Sequence, residues 1–265
     1  MNIATRIAAV AALLVLAACA TSPTGRSQLI LVSPSDMSEL GVAAFDKMGK
    51  EGKFANAPRE QAYARCVADA LISVLPAPWN KQQWEVRIID DDTANAFALP
   101  GGRIGVNQGM FKVATNQAQL ATVLSHELAH VVAHHAAERF SDKLAVQAGV
   151  AALTAYGASK GADADRTMAL LGLGAEVGVT LPFSRAQENE ADVLGQRIMA
   201  EAGFDPREAP ALWKKMEASG GSSLPAFLST HPASGDRMQT LARQAQTLMP
   251  VYTKARASGH TPHCG

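Results

Sequence analysis

Apolar positions along this chain recur mainly at helical spacing, with one interval at strand spacing. Over residues 58–75, Ala62, Cys66, Val67, Leu71, Ile72 and Leu75 follow a helical period, and Pro58 suits a first turn. A helix is also expected over 36–50, and PAPWNK (76–81) breaks the second one. The period then shortens. WEVRIIDDD (84–92) reads as a strand, and ANAFAL (94–99) continues toward a tight turn at Pro100-Gly101-Gly102. In RIGVNQG (103–109), Ile104 and Val106 alternate with Arg103, Gly105 and Asn107, as in a half-exposed strand. Helical spacing returns in one long predicted helix from about Gln117 to Phe140.

Residues 143–182, rich in Ala, Gly and Leu, read as two helices broken near GASKGADAD (157–165). Neither reaches the roughly 20 uninterrupted apolar residues of a membrane span, so a buried or partner-facing pair is expected. The next helix covers 184–203, with Gly203 as its stop. Asp205 is the expected N-cap of another helix, with Pro206 in its first position and Glu208 completing a capping-box pattern. THPASGDRM (230–238) reads as a loop entering a last helix that ends near Met249, and the tail after Lys254 as disordered. The expected class is α+β, one mostly helical domain with a small β-sheet packed on the helix that begins near Gln117.

Composition narrows the function. The chain has 265 residues and is 48% hydrophobic, enough for one globular core. Lys+Arg and Asp+Glu both number 24, so no net field attracts nucleic acid or another polyanion. Arg6, the apolar run of residues 7–18 and the small residues before Cys19 have the layout of a secretory leader. Leu16-Ala17-Ala18-Cys19 resembles a bacterial lipobox, which implies acylation of Cys19. By the same resemblance, Ala20 after it implies the periplasmic face of the outer membrane. The alternative is an ordinary leader cut at an A-x-A site. The expected segments are a lipoprotein signal peptide at 1–18, a lipidated tether at 19–35, a catalytic domain at 36–250 and a flexible tail at 251–265. In the oxidising periplasm a Cys66–Cys264 bridge is possible.

The stretch LSHELAHVVAHH (124–135) holds four of the seven histidines. His126 and His130 stand one helical turn apart, so both imidazoles can reach one ion, and Glu127 is close enough to serve a water there. Catalytic zinc takes nitrogen and oxygen ligands and keeps one position for water. His134 continues the i, i+4 row, but its outer members lie about 12 Å apart along the axis, a poor fit to a tetrahedron. His135 falls on the opposite face. Both read as packing residues or as groups supporting the ligands. A partner carboxylate is available in SRAQENEAD: Glu188 and Asp192 share a helix face, the first placed to ligate and the second to accept a ligand histidine's free ring N–H. Glu190 points away, toward solvent or an ion pair. By pattern alone, this face reads equally well as a charged surface paired through Arg185.

HELAH, the downstream E-x-E-A-D, the upstream NAFALPGG and the later T-H-P followed by Arg resemble the HtpX and CAAX-prenyl endopeptidase family of zinc metalloproteases. TGRSQLILVS after the lipobox is similar to its soluble bacterial lipoprotein branch. The resemblance runs from about Thr24 to Met249 and implies a zincin-like fold with one Zn2+ per chain. It implies His126, His130 and Glu188 as ligands, Glu127 as general base and Asp192 as the partner of a ligand histidine. His231 would enter the active site, to stabilise the oxyanion or to occlude the zinc at rest, and Arg237 matches the arginine after that loop. Gly102, Arg103, Ile104, Gly105 and Val106 would form an edge strand that holds an extended substrate. The implied activity is endoproteolysis of unfolded or misassembled envelope proteins. The alternatives are a latent protease and a non-cleaving zinc lipoprotein that acts as a holdase or assembly module.

Overall fold

A computed structural model describes residues 19–159, 183–219, 226–231 and 235–265. The chain forms two compact units. The larger comprises residues 35–133 and the described residues from 183 onward; the smaller comprises 19–34 and 134–159.

The smaller unit begins with a hairpin, β1 (Cys19–Thr21) antiparallel to β2 (Ser27–Leu29), with Ala20 opposite Gln28. The expected tether is therefore already paired at Cys19. The hairpin is tied to helix α5 (His135–Ser159) through the buried Glu138. Arg26 grips that carboxylate with both terminal nitrogens, and Gln28 Nε2 donates to it at 3.0 Å. The Leu31 N–H donates to Ser141 Oγ at 2.8 Å. A buried carboxylate held by a bidentate guanidinium is the arrangement that makes its burial tolerable. Residues 143–149, the start of the pair expected to be buried or partner-facing, are exposed rather than buried. The second helix expected before residue 182 lies outside the described residues.

The larger unit opens with α1 (Pro34–Lys50) and α2 (Pro58–Ser73). Strands β3 (Glu85–Ile89), β4 (Ala96–Leu99) and β5 (Arg103–Asn107) form one sheet in the order β3-β5-β4. β5 runs parallel to β3, with Val86 opposite Ile104, and antiparallel to β4, with Phe97 opposite Gly105. β5 is thus the inner strand. Residues Gly102, Arg103, Ile104, Gly105 and Val106 are not the expected free edge, because β5 is paired on both sides. Gly105 looked like a solvent-facing position, yet the Phe97 ring lies across it, where a Cβ would stand 2.3 Å from Phe97 Cζ. The turn before β5 depends on Gly102, whose φ is +76° and whose Cβ would meet Gln83 O at 2.2 Å.

A short α3 (Met110–Val113) leads to α4 (Gln117–Val132), capped by Asn116, whose side chain accepts from the Gln119 N–H. Every residue from Leu120 to Val132 of α4 is buried. The helix has no solvent face, so its histidines and glutamate must find partners inside. It packs against α2, β4, α6 (Arg185–Glu201) and α7 (Glu208–Ser219). The single helix expected from Gln117 to Phe140 is two helices, α4 and α5, with His134 at φ 55° between them. Histidine is one of the few non-glycine residues that enter the left-handed region readily.

α6 starts at Ser184, which closes a capping box with Gln187. α7 begins two residues later than the Pro206 start that the sequence suggests, because the Asp205 side chain instead accepts from the Arg207 N–H in a turn. The T-H-P segment is partly helical: α8 (Ala226–Thr230) ends just before His231. α9 (Gly235–Ala257) runs through Pro250, past its expected end at Met249. Among the described residues, no helix is long and apolar enough to cross a membrane.

Residues 258–265 are not a loose tail. Cys264 is buried and bonded to Cys66 of α2, with Cα atoms 5.5 Å apart, and its N–H donates to Gln117 Oε1. The bridge closes a loop of sequence separation 198. Constraining so long a loop in the unfolded chain stabilises a fold by about 2–4 kcal/mol. Replacing Cys66 by Ser should lower the denaturant-unfolding free energy by about that amount. An unchanged midpoint, or two free thiols on the unreduced, denatured protein, would show that the bridge does not form.

Candidate metal centre

Four buried side chains from three segments converge in the larger unit: His126 and His130 from α4, Glu188 from α6, and His231 just after α8. One potential donor atom from each lies within 4.8 Å of all the others. His126 Nε2 is 3.1 Å from His130 Nε2 and 3.3 Å from His231 Nδ1. Glu188 Oε1 is 2.9 Å from His231 Nδ1 and 3.5 Å from His130 Nε2, and Glu188 Oε2 is 3.5 Å from His126 Nε2.

These spacings fit a metal. Four donors each about 2.0–2.1 Å from one ion in a tetrahedron stand about 3.3–3.4 Å apart. The five separations just given, 2.9–3.5 Å, bracket that edge length. The chemistry of the set agrees. Three ring nitrogens turned toward one point place lone pairs against each other unless a proton or cation lies between them. Three imidazoles and one carboxylate are ligands that suit zinc.

The groups behind the donors are buried too. His126 Nδ1 faces Asp192 Oδ1 at 3.1 Å, a carboxylate placed to favour the proton on Nδ1 and leave Nε2 toward the other donors. Arg237 Nε donates to Asp192 Oδ2 at 2.6 Å and Nη2 to Oδ1 at 2.9 Å. The same Nη2 stands 3.0 Å from Glu188 Oε2. Arg237 is therefore the countercharge to both carboxylates, and its guanidinium lies 4.7 Å from the Trp213 ring centroid.

Aromatic rings wall the site. Phe227 stacks on His231 with centroids 4.5 Å apart, and Phe183 stacks on it from 5.3 Å. Phe183 also lies 4.1 Å from the His130 ring, and Trp213 meets His126 edge-on at 5.7 Å.

Glu127 stands beside the donors without joining them. Its Oε1 is 3.4 Å from His231 Nε2. Burial pushes its carboxyl up from the ordinary value, while His231, His126 and the Ala98 backbone amide pull it down. Ala98 belongs to β4, so the outer strand of the sheet reaches the carboxylate next to the metal ligands. For His126, burial disfavours the charged ring, but the Asp192 and Glu188 carboxylates outweigh it and push its pKa to about 9. Burial drives His130 well below its ordinary value. Burial would raise Glu188, yet the three histidines around it hold it below the usual carboxylate range.

The structure thus brings His126, Glu127, His130, Glu188, Asp192, His231 and Arg237 together. The Glu188–Asp192 face is buried rather than a charged surface, and Glu190 is also buried instead of solvated. His134 stands at the break between α4 and α5 and His135 opens α5; neither is in the donor group. Sequence reasoning missed Trp213, Phe183, Phe227 and the Ala98 amide. The three aromatics are indistinguishable by pattern from ordinary core residues, and a backbone amide carries no sequence signature.

Comparison with known proteins agrees with the geometry. The profile of Peptidase family M48 matches residues 58–245. The mitochondrial metalloendopeptidase OMA1 of Schizosaccharomyces pombe is 40% identical over 161 residues, 60% of this chain and 46% of the relative. Metalloendopeptidase OMA1 of Danio rerio is 32% identical over 256 residues, 90% of this chain and 52% of the relative. The beta-barrel assembly-enhancing protease of Escherichia coli (strain K12) is 27% identical over 177 residues, 63% of this chain and 36% of the relative. The chain spans about half or less of the length of these relatives.

A ligand histidine must be neutral at its donor nitrogen. Between the ordinary value of 6.5 and about 9, the metal-free site keeps a second proton on His126. Zinc uptake must expel it. At pH 7.5, calorimetry in buffers of different ionisation enthalpy should show about one proton released per zinc, with apparent affinity rising about tenfold per pH unit. Both effects should fade above pH 9. Uptake without proton release at pH 7.5 would mean that His126 is already neutral in the metal-free site or is not a ligand.

Proposed function

The chain belongs to Peptidase family M48, and on that premise we propose that it is a zinc-dependent endopeptidase that hydrolyses peptide bonds in extended or misfolded cell-envelope proteins. The observation that carries the reading is the convergence of the four donors with the buried Glu127 beside them. Zinc, when bound, supplies Lewis acidity that polarises the scissile carbonyl and acidifies water.

The chain's own groups do the remainder. Glu127 accepts the proton of the attacking water and returns it to the leaving amine. Its burial raises its proton affinity, which suits a group that must hold a proton between the two steps. Asp192 keeps the His126 tautomer fixed, and Arg237 balances the charge of Asp192 and Glu188. The outer edge of β4 is the surface on which an extended substrate adds as a further strand. Among the described residues β4 pairs only with β5, and it reaches Glu127 through Ala98. Recognition through main-chain hydrogen bonds accepts many sequences, as quality control of misfolded chains requires.

Several features support an envelope location. A Cys66–Cys264 disulfide suits an oxidising compartment. The leader and lipobox pattern suit a lipoprotein acylated at Cys19, on the periplasmic face of the outer membrane, within the HtpX-like lipoprotein branch. The bacterial relative is named for enhancing β-barrel assembly.

One observation favours latency as the resting condition. His231 puts Nδ1 in the donor group and stands with Nε2 3.4 Å from Glu127 Oε1, so its ring fills the space between the base and the other ligands. An attacking water needs that space. Productive cleavage on this reading begins when His231 leaves its stack on Phe227.

Glu127→Gln should keep one zinc per chain and lose casein cleavage. Equal cleavage by both proteins would end the hydrolase reading, and zinc in both with cleavage by neither, even after His231→Ala, would favour the non-cleaving alternative. His231→Ala should raise basal cleavage several-fold; a fall would instead assign His231 to stabilising the oxyanion.

A further inference from the structure

Gly195 stands seven residues after Glu188 and three after Asp192 in α6, so the three lie on one face of that helix. The face is turned to α4. A Cβ at Gly195 would sit 2.9 Å from His126 Cα, 2.9 Å from His126 N and 3.0 Å from Ser125 C. All three are backbone atoms in a fully buried helix, so no side chain can swing aside to make room. Carbon atoms in contact prefer about 3.5–4.0 Å, so a methyl here would push the helices apart by roughly half an ångström or more. Buried helix pairs cannot absorb such a shift locally.

The position of this contact gives it chemical meaning. The two helices touch backbone to backbone at the residue that carries the first donor. The carboxylates that meet His126 are on the same rigid face of α6: Asp192 Oδ1 is 3.1 Å from Nδ1 and Glu188 Oε2 is 3.5 Å from Nε2. A shift of α6 therefore moves both carboxylates relative to both α4 histidines. Metal–ligand bonds tolerate about 0.2 Å.

We propose that Gly195 is a positioning residue for the metal site: the missing side chain sets the α4–α6 separation at which Glu188 and Asp192 meet His126 and His130. This inference rests on the zinc-site reading above. It goes further by assigning the ligand geometry to a residue that carries no ligand.

Alanine is a far better helix former than glycine, so with open space at 195 the Gly195→Ala protein would be more heat-stable than wild type and would bind zinc equally well. The proposal predicts a zinc dissociation constant at least tenfold higher, measured by competition with a chromophoric chelator. It also predicts an altered visible spectrum of the cobalt-loaded protein. Gly41→Ala is the control, because its Cβ would meet Pro100 O at 2.1 Å, a backbone clash that involves no donor residue. It should lower the melting temperature and leave the zinc dissociation constant unchanged. In a Glu188→Ala background, adding Gly195→Ala should weaken zinc much less than it does in the wild type.

Wild-type zinc affinity in Gly195→Ala would overturn the proposal, as would equal weakening in the Gly41→Ala control or full additivity with Glu188→Ala. A Gly195→Ala protein that does not fold, beside a folded Gly41→Ala, would also overturn it, since Gly195 would then serve the packing of the whole unit. If the wild type itself took up no zinc, the zinc-site reading would fail first, and that result is visible before any variant is compared.

Discussion

Buried carboxylates are the constraint on which the rest of this structure depends. Glu127, Glu188 and Asp192 are each no more than 5% exposed. Such groups persist in an interior only if each is met by cations or hydrogen-bond donors. The fold supplies those partners from separate parts of the chain: histidines from α4 and the residue after α8, a guanidinium from α9, and an amide from β4. α4 must be buried on every side for these partners to reach it, which explains why α2, α6, α7 and β4 all pack against it. The donor group is thus assembled by the same contacts that complete the core.

That economy also explains the geometry around His126. One ring nitrogen faces Asp192 and the other faces the donor group, so a single imidazole links the Arg237–Asp192 pair to the metal site. The aromatic rings of Trp213, Phe183 and Phe227 exclude water around these contacts. In such buried surroundings each charge acts strongly on its neighbours, and the Glu127 carboxylate is held at raised proton affinity.

Much of this was legible in the sequence because helical periodicity and donor spacing are local. The i, i+4 relation of His126 to His130, and of Glu188 to Asp192, follows from the helix repeat, and the structure puts all four in one place. What failed was non-local. β5 looked half-exposed because Arg103 and Gly105 alternate with apolar residues, but Gly105 is covered by the ring of Phe97 from the next strand, and β5 lies inside the sheet. The break at His134 has no sequence signature, because no glycine or proline marks it. The C-terminal residues looked loose because their composition is polar, whereas a disulfide to a distant helix and a hydrogen bond to Gln117 hold Cys264. Gly195 carries no signal at all until the helix facing it is known.

The central claim is that this convergence builds a zinc site from His126, His130, Glu188 and, at rest, His231. X-ray absorption at the zinc edge of the loaded protein tests it most directly. The account predicts one zinc per chain, four nitrogen or oxygen neighbours at about 2.0–2.1 Å and outer-shell scattering from three imidazoles, falling to two in the His231→Ala protein. A six-coordinate, oxygen-only shell without imidazole scattering, or substoichiometric zinc, would contradict it.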